Sequence, residues 1–583
     1  MSATESISTR ELAERAKAIT QRELQVYIAR TKGSQVATER ARKVLPMGVP
    51  SSFQAYDPHP IVVRRAQDSW MEDVDGNRYV DFDMGYGALF AGHCHPAVRR
   101  AVEQQLDNGT LYVTPCEMNA EVAELLAERY HLPMWRFTNS GTEATMDAIR
   151  VARGITGREK IVKVEGGYHG HHDEVMISMK PPLDMAGPAD SPTPVPGTAG
   201  ITAAVLADTI VIPYNDAEAL ERVLRNGDVA CFIVEPVMEN IGICMPQPGY
   251  LEAVREITRR YGTMLIFDEV KTGITAGYGG ATTQLGVQPD LVTLAKSIGG
   301  GLPVGAFGGT QECMDQITAG KVLHLGTYNG NPLCMAAVKA VLTEACTRDT
   351  IDAAIALNRR LLDACDRIIA DANLPAHTVQ FGAKGCITWA REPIRNYRDY
   401  KATDFDLAFA QWIHGINRGV LLPPGLDEQW LISVLHSEAD AMRYATVFGE
   451  FVDELIALSF PRRWGSAPAA FLVVPVGAHR CAPTTPAAHH AAAGEDAQST
   501  AYQHELEPDQ QRQRVVGQAR RHVGPHAVAE CRHQELGDHV TQQRGQDRQQ
   551  QQAERQALEQ CGAVGVGGEA QTGEHQCGEC SNR

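Results

Sequence analysis

Short apolar runs that alternate with amphipathic segments constrain what this chain can fold into more than any other feature. CFIVEP (231–236), TMLIFDEV (263–270) and DLVTLAKS (290–297) are brief and nearly all apolar, as strands covered on both faces must be. PGYLEAVREITRRYG (248–262) instead repeats Leu251, Val254, Ile257 and Tyr261 at helical spacing, and Gly262 suits the left-handed position after a helix end. MNAEVAELLAERY (118–130) does the same with Met118, Val122, Leu125 and Leu126. This alternation predicts an α/β fold with a mainly parallel central sheet.

The pattern is not uniform along the 583 residues. Residues 1–75 read as a charged helical segment plus part of a small domain, 76–330 as a large domain, and 331–458 as a smaller C-terminal α/β domain. The character changes after Arg463, beyond which there is no Lys, Ile or Met and runs such as DRQQQQAERQ dominate. Residues 459–583 are therefore expected to form a low-complexity tail that cannot bury enough apolar surface to order itself. The missing residue types are also those of a GC-rich stretch read out of its natural frame. The intact mass of the protein from its natural source tests that reading: an end near residue 460 supports it, and full length counts against it.

A formal net charge of -17 argues against nucleic acid or an anionic membrane as partner. The start, MSATESISTRELAERAKA, lacks the apolar core of a signal peptide. No run reaches the roughly 18–20 apolar residues that span a bilayer, so the expected location is cytoplasmic. The 14 cysteines show no framework spacing and read as reduced thiols. A lone CxxC with His575, Cys577 and Cys580 in HQCGEC is too little for a metal site.

Four segments carry candidate chemistry. In DLVTLAKSIGGGLPVGAFGG an apolar strand delivers Lys296 to its C-terminal end, where ligands of open α/β sheets sit. Desolvation there favours the neutral, nucleophilic amine; the alternative is a surface lysine after a buried strand. In TMLIFDEVKTG, alternation puts Asp268 and Val270 on one face and Glu269 on the other. A buried carboxylate needs a partner, and a protonated ring nitrogen is suitable; a helix cap is the alternative. In MWRFTNSGTEATMDAIRVARGITG a strand turns through Asn139, Ser140, Gly141 and Thr142 into a helix, an anion cradle suited to phosphate or a plain cap. In VKVEGGYHGHHDEV, Tyr168 and His169 follow two glycines, placing an aromatic to stack on a flat cofactor. His169, His171, His172 and Asp173 also raise a metal reading, but the expectation is no metal.

Taken in order, SGTEATMDAIRVARG, EGGYHGHHD, VEPVMEN, IFDEVKTG, AKSIGGGLPVGAFGG and GTYNGNP resemble the class III pyridoxal-phosphate (PLP) aminotransferases, in particular the branch of glutamate-1-semialdehyde 2,1-aminomutase and its relatives. WMEDVDGNRYVDF and GHCHPAV fit the same family. The resemblance covers about residues 35 to 457 and implies the fold type I architecture, with PLP bound in the large domain. It implies that Lys296 forms the Schiff base and shuttles the proton, and that Asp268 pairs with the pyridine nitrogen above Val270. By the same likeness Ser140, Gly141 and Thr142 cradle the phosphate, and Tyr168 stacks on the ring beside His169. Asn240 lies near the phenolic oxygen with Glu235 behind it, Glu428 is an active-site carboxylate, and residues 180–197 resemble a gating loop. Thr327 would reach the phosphate of a neighbouring subunit, which implies a homodimer with shared sites.

The departures bear on substrate. MGVPSSFQAY carries Gln54 where aminomutases have a carboxylate-binding arginine, and losing that charge-assisted pair costs about 2 kcal/mol or more of binding. Thr275 replaces a common arginine, and Tyr86 replaces the family tryptophan of the substrate wall. The preferred expectation is a transaminase that moves an amino group from an amino donor to a keto acid or aldehyde. The alternative is an aminomutase-like isomerase.

Overall fold

The computed structural model describes residues 9–424 and 429–457. Its centre is a seven-stranded sheet. In chain order the strands are β1 (Met134–Thr138), β2 (Lys160–Val164), β3 (Thr209–Ile212), β4 (Val229–Val234), β5 (Met264–Asp268), β6 (Leu291–Leu294) and β7 (Gly305–Gly309), and in space they run β1-β7-β6-β5-β4-β2-β3. The six strands other than β7 share one direction, and β7 lies antiparallel between β1 and β6.

Alternation along the strands builds two cores. Cys231, Ile233 and Ile266 pack on one face with Ala148, Ile149 and Ala152 of the helix Gly141–Thr156. Phe232, Val234, Leu265 and Phe267 pack on the other, with Leu251 and Val254 of the helix Tyr250–Tyr261. Strands β4 and β6 are buried at every position, so helices cover both sides, as the apolar runs predict. Gly262 takes φ 60 at the end of the Tyr250–Tyr261 helix.

Two smaller sheets flank this body. Val63–Gln67, Trp70–Asp73 and Arg78–Asp81 form an antiparallel ribbon that Val420–Leu421 extends in parallel. His377–Phe381 and Lys384–Thr388 pair with Trp430–Leu431. The N-terminal helix Thr9–Arg30 packs on the helix Phe405–Asn417, where Arg418 pairs with Glu23 at 3.2 Å. The two ends of the described chain therefore meet. Among the described residues nine cysteines are all unpaired, and no helix is long and apolar enough to cross a membrane.

Candidate active site

The C-terminal ends of β5 and β6 open into one cavity of about 370 Å³, within the roughly 300–1,000 Å³ of small-molecule sites. Lys296 and Asp268 both line it, so the two residues singled out from separate segments meet in one place. Lys296 follows β6 after Ala295 and has φ 45, a left-handed backbone that costs a side chain about 1 kcal/mol and clusters at functional positions.

Asp268 is held from three sides. Its Oδ1 accepts hydrogen bonds from the Val270 N–H at 3.0 Å and the Thr293 hydroxyl at 3.1 Å. Its Oδ2 lies 2.8 Å from Nδ1 of the buried His169. Val270 lines the same cavity. Glu269 points away, as alternation requires, and accepts from the N–H groups of Ala281 and Thr282 and the hydroxyls of Thr272 and Thr282. Burial pushes its carboxyl up to about 7. The capping role weighed for Asp268 thus falls to its neighbour, at the start of the helix Gly280–Leu285.

Opposite the strand ends lies the start of the Gly141–Thr156 helix. Ser140, Gly141 and Thr142 all line the cavity, and the first N–H groups of a helix have no intrahelical acceptor. The Ser140 hydroxyl accepts from the Glu143 N–H at 3.2 Å, so the residue that caps the helix also lines the cavity. A Cβ on Gly141 would sit 2.8 Å from Val270 Cγ2; only glycine lets the cradle close over that side chain. Gly170 has φ 105, and a Cβ there would lie 2.7 Å from the Thr142 hydroxyl, so the loop bearing Tyr168 and His169 presses onto the helix start.

That loop is anchored from behind. Glu235, buried at the end of β4, accepts from the Tyr168 N–H at 3.2 Å, the Glu239 N–H at 3.0 Å and the Asn240 amide at 2.8 Å. Burial raises its carboxyl above the usual range. One carboxylate therefore fixes both Tyr168 and Asn240, which line the cavity beside His169. The other histidines disperse: His171 Nδ1 lies 3.0 Å from the Thr142 hydroxyl, and His172 Nδ1 lies 2.9 Å from Glu174. The donor set is an amine, a carboxylate, an anion cradle and an aromatic, which fits PLP.

The family profile of aminotransferase class-III matches residues 52–388. The chain belongs to the class-III aminotransferase family. This aminotransferase is 41% identical over 416 residues to a glutamate-1-semialdehyde 2,1-aminomutase of Methanoculleus marisnigri, covering 70% of this chain and 97% of that one. Among solved structures it resembles a glutamate-1-semialdehyde aminomutase from Pseudomonas aeruginosa in complex with PMP, with TM-score 0.71 and 30% identity over 76% of this chain and 99% of that one. It also resembles an omega-transaminase from Sphaerobacter thermophilus, with TM-score 0.69 and 34% identity over 72% of this chain and 97% of that one. The architecture is that of the fold type I PLP transaminases.

A second cavity of about 940 Å³ shares Lys296, Tyr168 and Asn240 with the first. Gln54 and Tyr86 line it. The Gln54 amide oxygen turns back to accept from the Ser51 N–H at 3.2 Å, and the Tyr86 hydroxyl donates to the Phe53 carbonyl at 3.2 Å. Thr275 is buried away from both cavities, its hydroxyl donating to the carbonyls of Lys271 and Thr272. Thr327 is exposed and lines neither. Glu428 lies outside the described residues, as do His575, Cys577 and Cys580.

Sequence reasoning missed Thr293 and Lys163. A hydroxyl inside the apolar run LVTL was the available signal for Thr293. Lys163, wholly buried in β2, donates to the carbonyls of Gly167, Val175 and Ile177 and so clamps the base of the Tyr168 loop; nothing in the sequence marks those distant acceptors.

Proposed function

We propose that this aminotransferase is a PLP-dependent transaminase that moves an amino group from an amino donor to a keto acid or aldehyde acceptor. The observation that carries the reading is that Lys296 borders two cavities, the 370 Å³ one whose lining fits the cofactor and the 940 Å³ one beside it. PLP, when bound, supplies an electron-accepting ring. Ser140, Gly141 and Thr142 hold its phosphate. Asp268, fixed by His169 and Thr293, keeps a ring nitrogen protonated. Tyr168 and Val270 would pack against the ring, and Asn240 would meet its phenolic oxygen, since all three line the cavity. Lys296 anchors the cofactor and carries the proton at the reacting carbon.

A second reading, an aminomutase that shifts an amino group within one molecule, is favoured by relatives of that name matched over 97% of their length at 38–41% identity. Incubation of the enzyme with an amine plus 2-oxoglutarate or pyruvate separates the two. Net transfer to the keto acid supports the transaminase; conversion of a single diamino or amino-aldehyde compound, with none transferred, supports the aminomutase.

The reading includes a cytoplasmic homodimer with shared sites. Thr327 is exposed, and near it in sequence Leu323, Leu325 and Tyr328 are 64%, 81% and 61% exposed, apolar surface that a second subunit would cover. The reading keeps residues 1–75 as an N-terminal helical segment with part of the small domain, 76–330 as the large domain and 331–458 as the C-terminal small domain.

A further inference from the structure

Lys384 lines neither cavity, yet it is buried where the small sheet of His377–Phe381, Lys384–Thr388 and Trp430–Leu431 meets two loops that line the first one. Its ammonium lies 2.7 Å from a Glu239 carboxylate oxygen, and the two side chains are 1% and 0% exposed. We infer that Lys384 is a positioning residue for the cofactor: through its ion pair with Glu239 it fixes Asn240, and so sets how tightly the bound cofactor keeps its proton. This rests on the assignment of Asn240 to the phenolic oxygen, which the transaminase and aminomutase readings share.

Three observations carry it. First, residue 239 is held by its N–H, its carbonyl and its carboxylate, each from a different part of the chain. The N–H donates to the Glu235 carboxylate at 3.0 Å. The carbonyl accepts from the Lys271 ammonium at 2.8 Å and from the Gln429 amide. The carboxylate meets Lys384 through one oxygen, and its other oxygen is buried with no donor among the described residues. Second, the next residue is Asn240, which lines both cavities. Neighbouring Cα atoms are fixed about 3.8 Å apart, so a shift of Glu239 passes to Asn240. The Asn240 amide nitrogen carries two hydrogens; Glu235 accepts one at 2.8 Å, leaving one to donate to the phenolic oxygen. Third, Lys384 also donates to the Lys271 carbonyl. Lys271 stands three residues after Asp268. One ammonium therefore ties the loop of Asn240 to the turn that presents Asp268, the two elements assigned to the oxygen and the nitrogen of the ring.

Fold stability does not account for such a pair. Burying both charges is costly, and apolar side chains of the same volume often hold a fold as well or better. What the pair adds is direction, because an ammonium and a carboxylate attract strongly only at hydrogen-bond distance and angle. A hydrogen bond donated to the phenolic oxygen favours its anionic form, so a displaced Asn240 lets the bound cofactor keep its proton to higher pH.

The test replaces both partners, Lys384→Met with Glu239→Met, so that neither charge is stranded; the Lys271 carbonyl keeps the Thr275 hydroxyl as a donor. The titratable groups of the cavity itself, Tyr168, His169, Glu235, Asp268, Lys271 and Lys296, stay in place. The full-length holoenzyme is titrated, and the pH midpoint of its near-visible cofactor band is read beside the unfolding temperature. The midpoint should rise by about one unit, about a tenfold gain in proton affinity. Asn240→Ala should raise it likewise, and adding Asn240→Ala to the double variant should change little further, because both act through one amide. Should the double variant bind no cofactor, Lys384→Gln with Glu239→Gln, neutral but still able to hydrogen-bond, takes its place, with a rise of about half a unit expected. A merely structural pair would move the unfolding temperature and leave the midpoint alone. A midpoint unmoved in the paired variant, or one that Asn240→Ala then raises by as much again, overturns the inference. A midpoint that Asn240→Ala by itself leaves unmoved sinks the assignment of Asn240, and the inference with it.

Discussion

Around Asp268 both carboxylate oxygens are engaged by the protein, by the buried side chains of His169 and Thr293 and by the backbone of half-buried Val270. Around Gln54 the side chains are exposed, the turn is a three-residue helix that caps itself, and the neighbouring Phe53 is 60% exposed. The cofactor side is over-determined, so that loss of one contact leaves geometry largely in place while removing a charge where it matters. The turn bearing Gln54 is closed on itself and exposed, so its chemistry is free to vary without disturbing the sheet. A shared catalytic core with a divergent donor is the outcome such a division permits, and the likeness to both an aminomutase and an omega-transaminase fits it.

The largest effect should come from the residue common to both regions. Lys296→Ala should lower turnover by more than about 10³-fold, since it removes the proton carrier, yet leave the unfolding temperature near the wild-type value; calorimetry beside steady-state kinetics checks both. Next, Asp268→Asn keeps the shape and hydrogen-bonding size but loses the charge, and a fall in turnover of about 10³-fold is expected with little change in stability. If the cofactor side were merely structural, that split would reverse.

Glu269 tests the same comparison from the structural side. Glu269→Ala leaves two buried N–H groups and two hydroxyls without their acceptor, and should cost about 3 kcal/mol or more in denaturant unfolding. The smallest effect is a pH slope. Burial pushes the Lys163 ammonium from its ordinary 10.5 down to about 7. Between those values the unfolded chain binds more protons than the folded one, so this residue makes stability rise as pH climbs through the window. Lys163→Met should flatten that rise relative to wild type, measured by urea unfolding at successive pH values.

Much of the cofactor side was legible because short-range rules govern it. Alternation alone separates Asp268 from Glu269, and the turn residues after β1 announce the helix start. Other features depend on contacts far along the chain. Strand β7, GAFGG, carries little of a strand's usual composition; it exists because its glycines admit neighbours, a Cβ on Gly308 falling 2.5 Å from the Trp135 ring. The role of Glu235 needs Tyr168 and Asn240 to converge from separate loops. Gln54 was visible as a departure, but the cavity it lines appears only once the N-terminal segment, the Met84–Gly87 turn and the Phe405–Asn417 helix are brought together.

The central claim is that the amine of Lys296, and no other, holds the cofactor. Borohydride reduction of the holoenzyme followed by peptide mapping tests it directly, since reduction fixes the cofactor to whichever amine carries it. Lys271 lines the same cavity, with its ammonium donating to the Glu239 carbonyl at 2.8 Å and the Gln429 amide at 3.1 Å, and provides an internal control. Label confined to the peptide containing Lys296 is the expected result; label on Lys271, on another lysine, or on none would contradict the account.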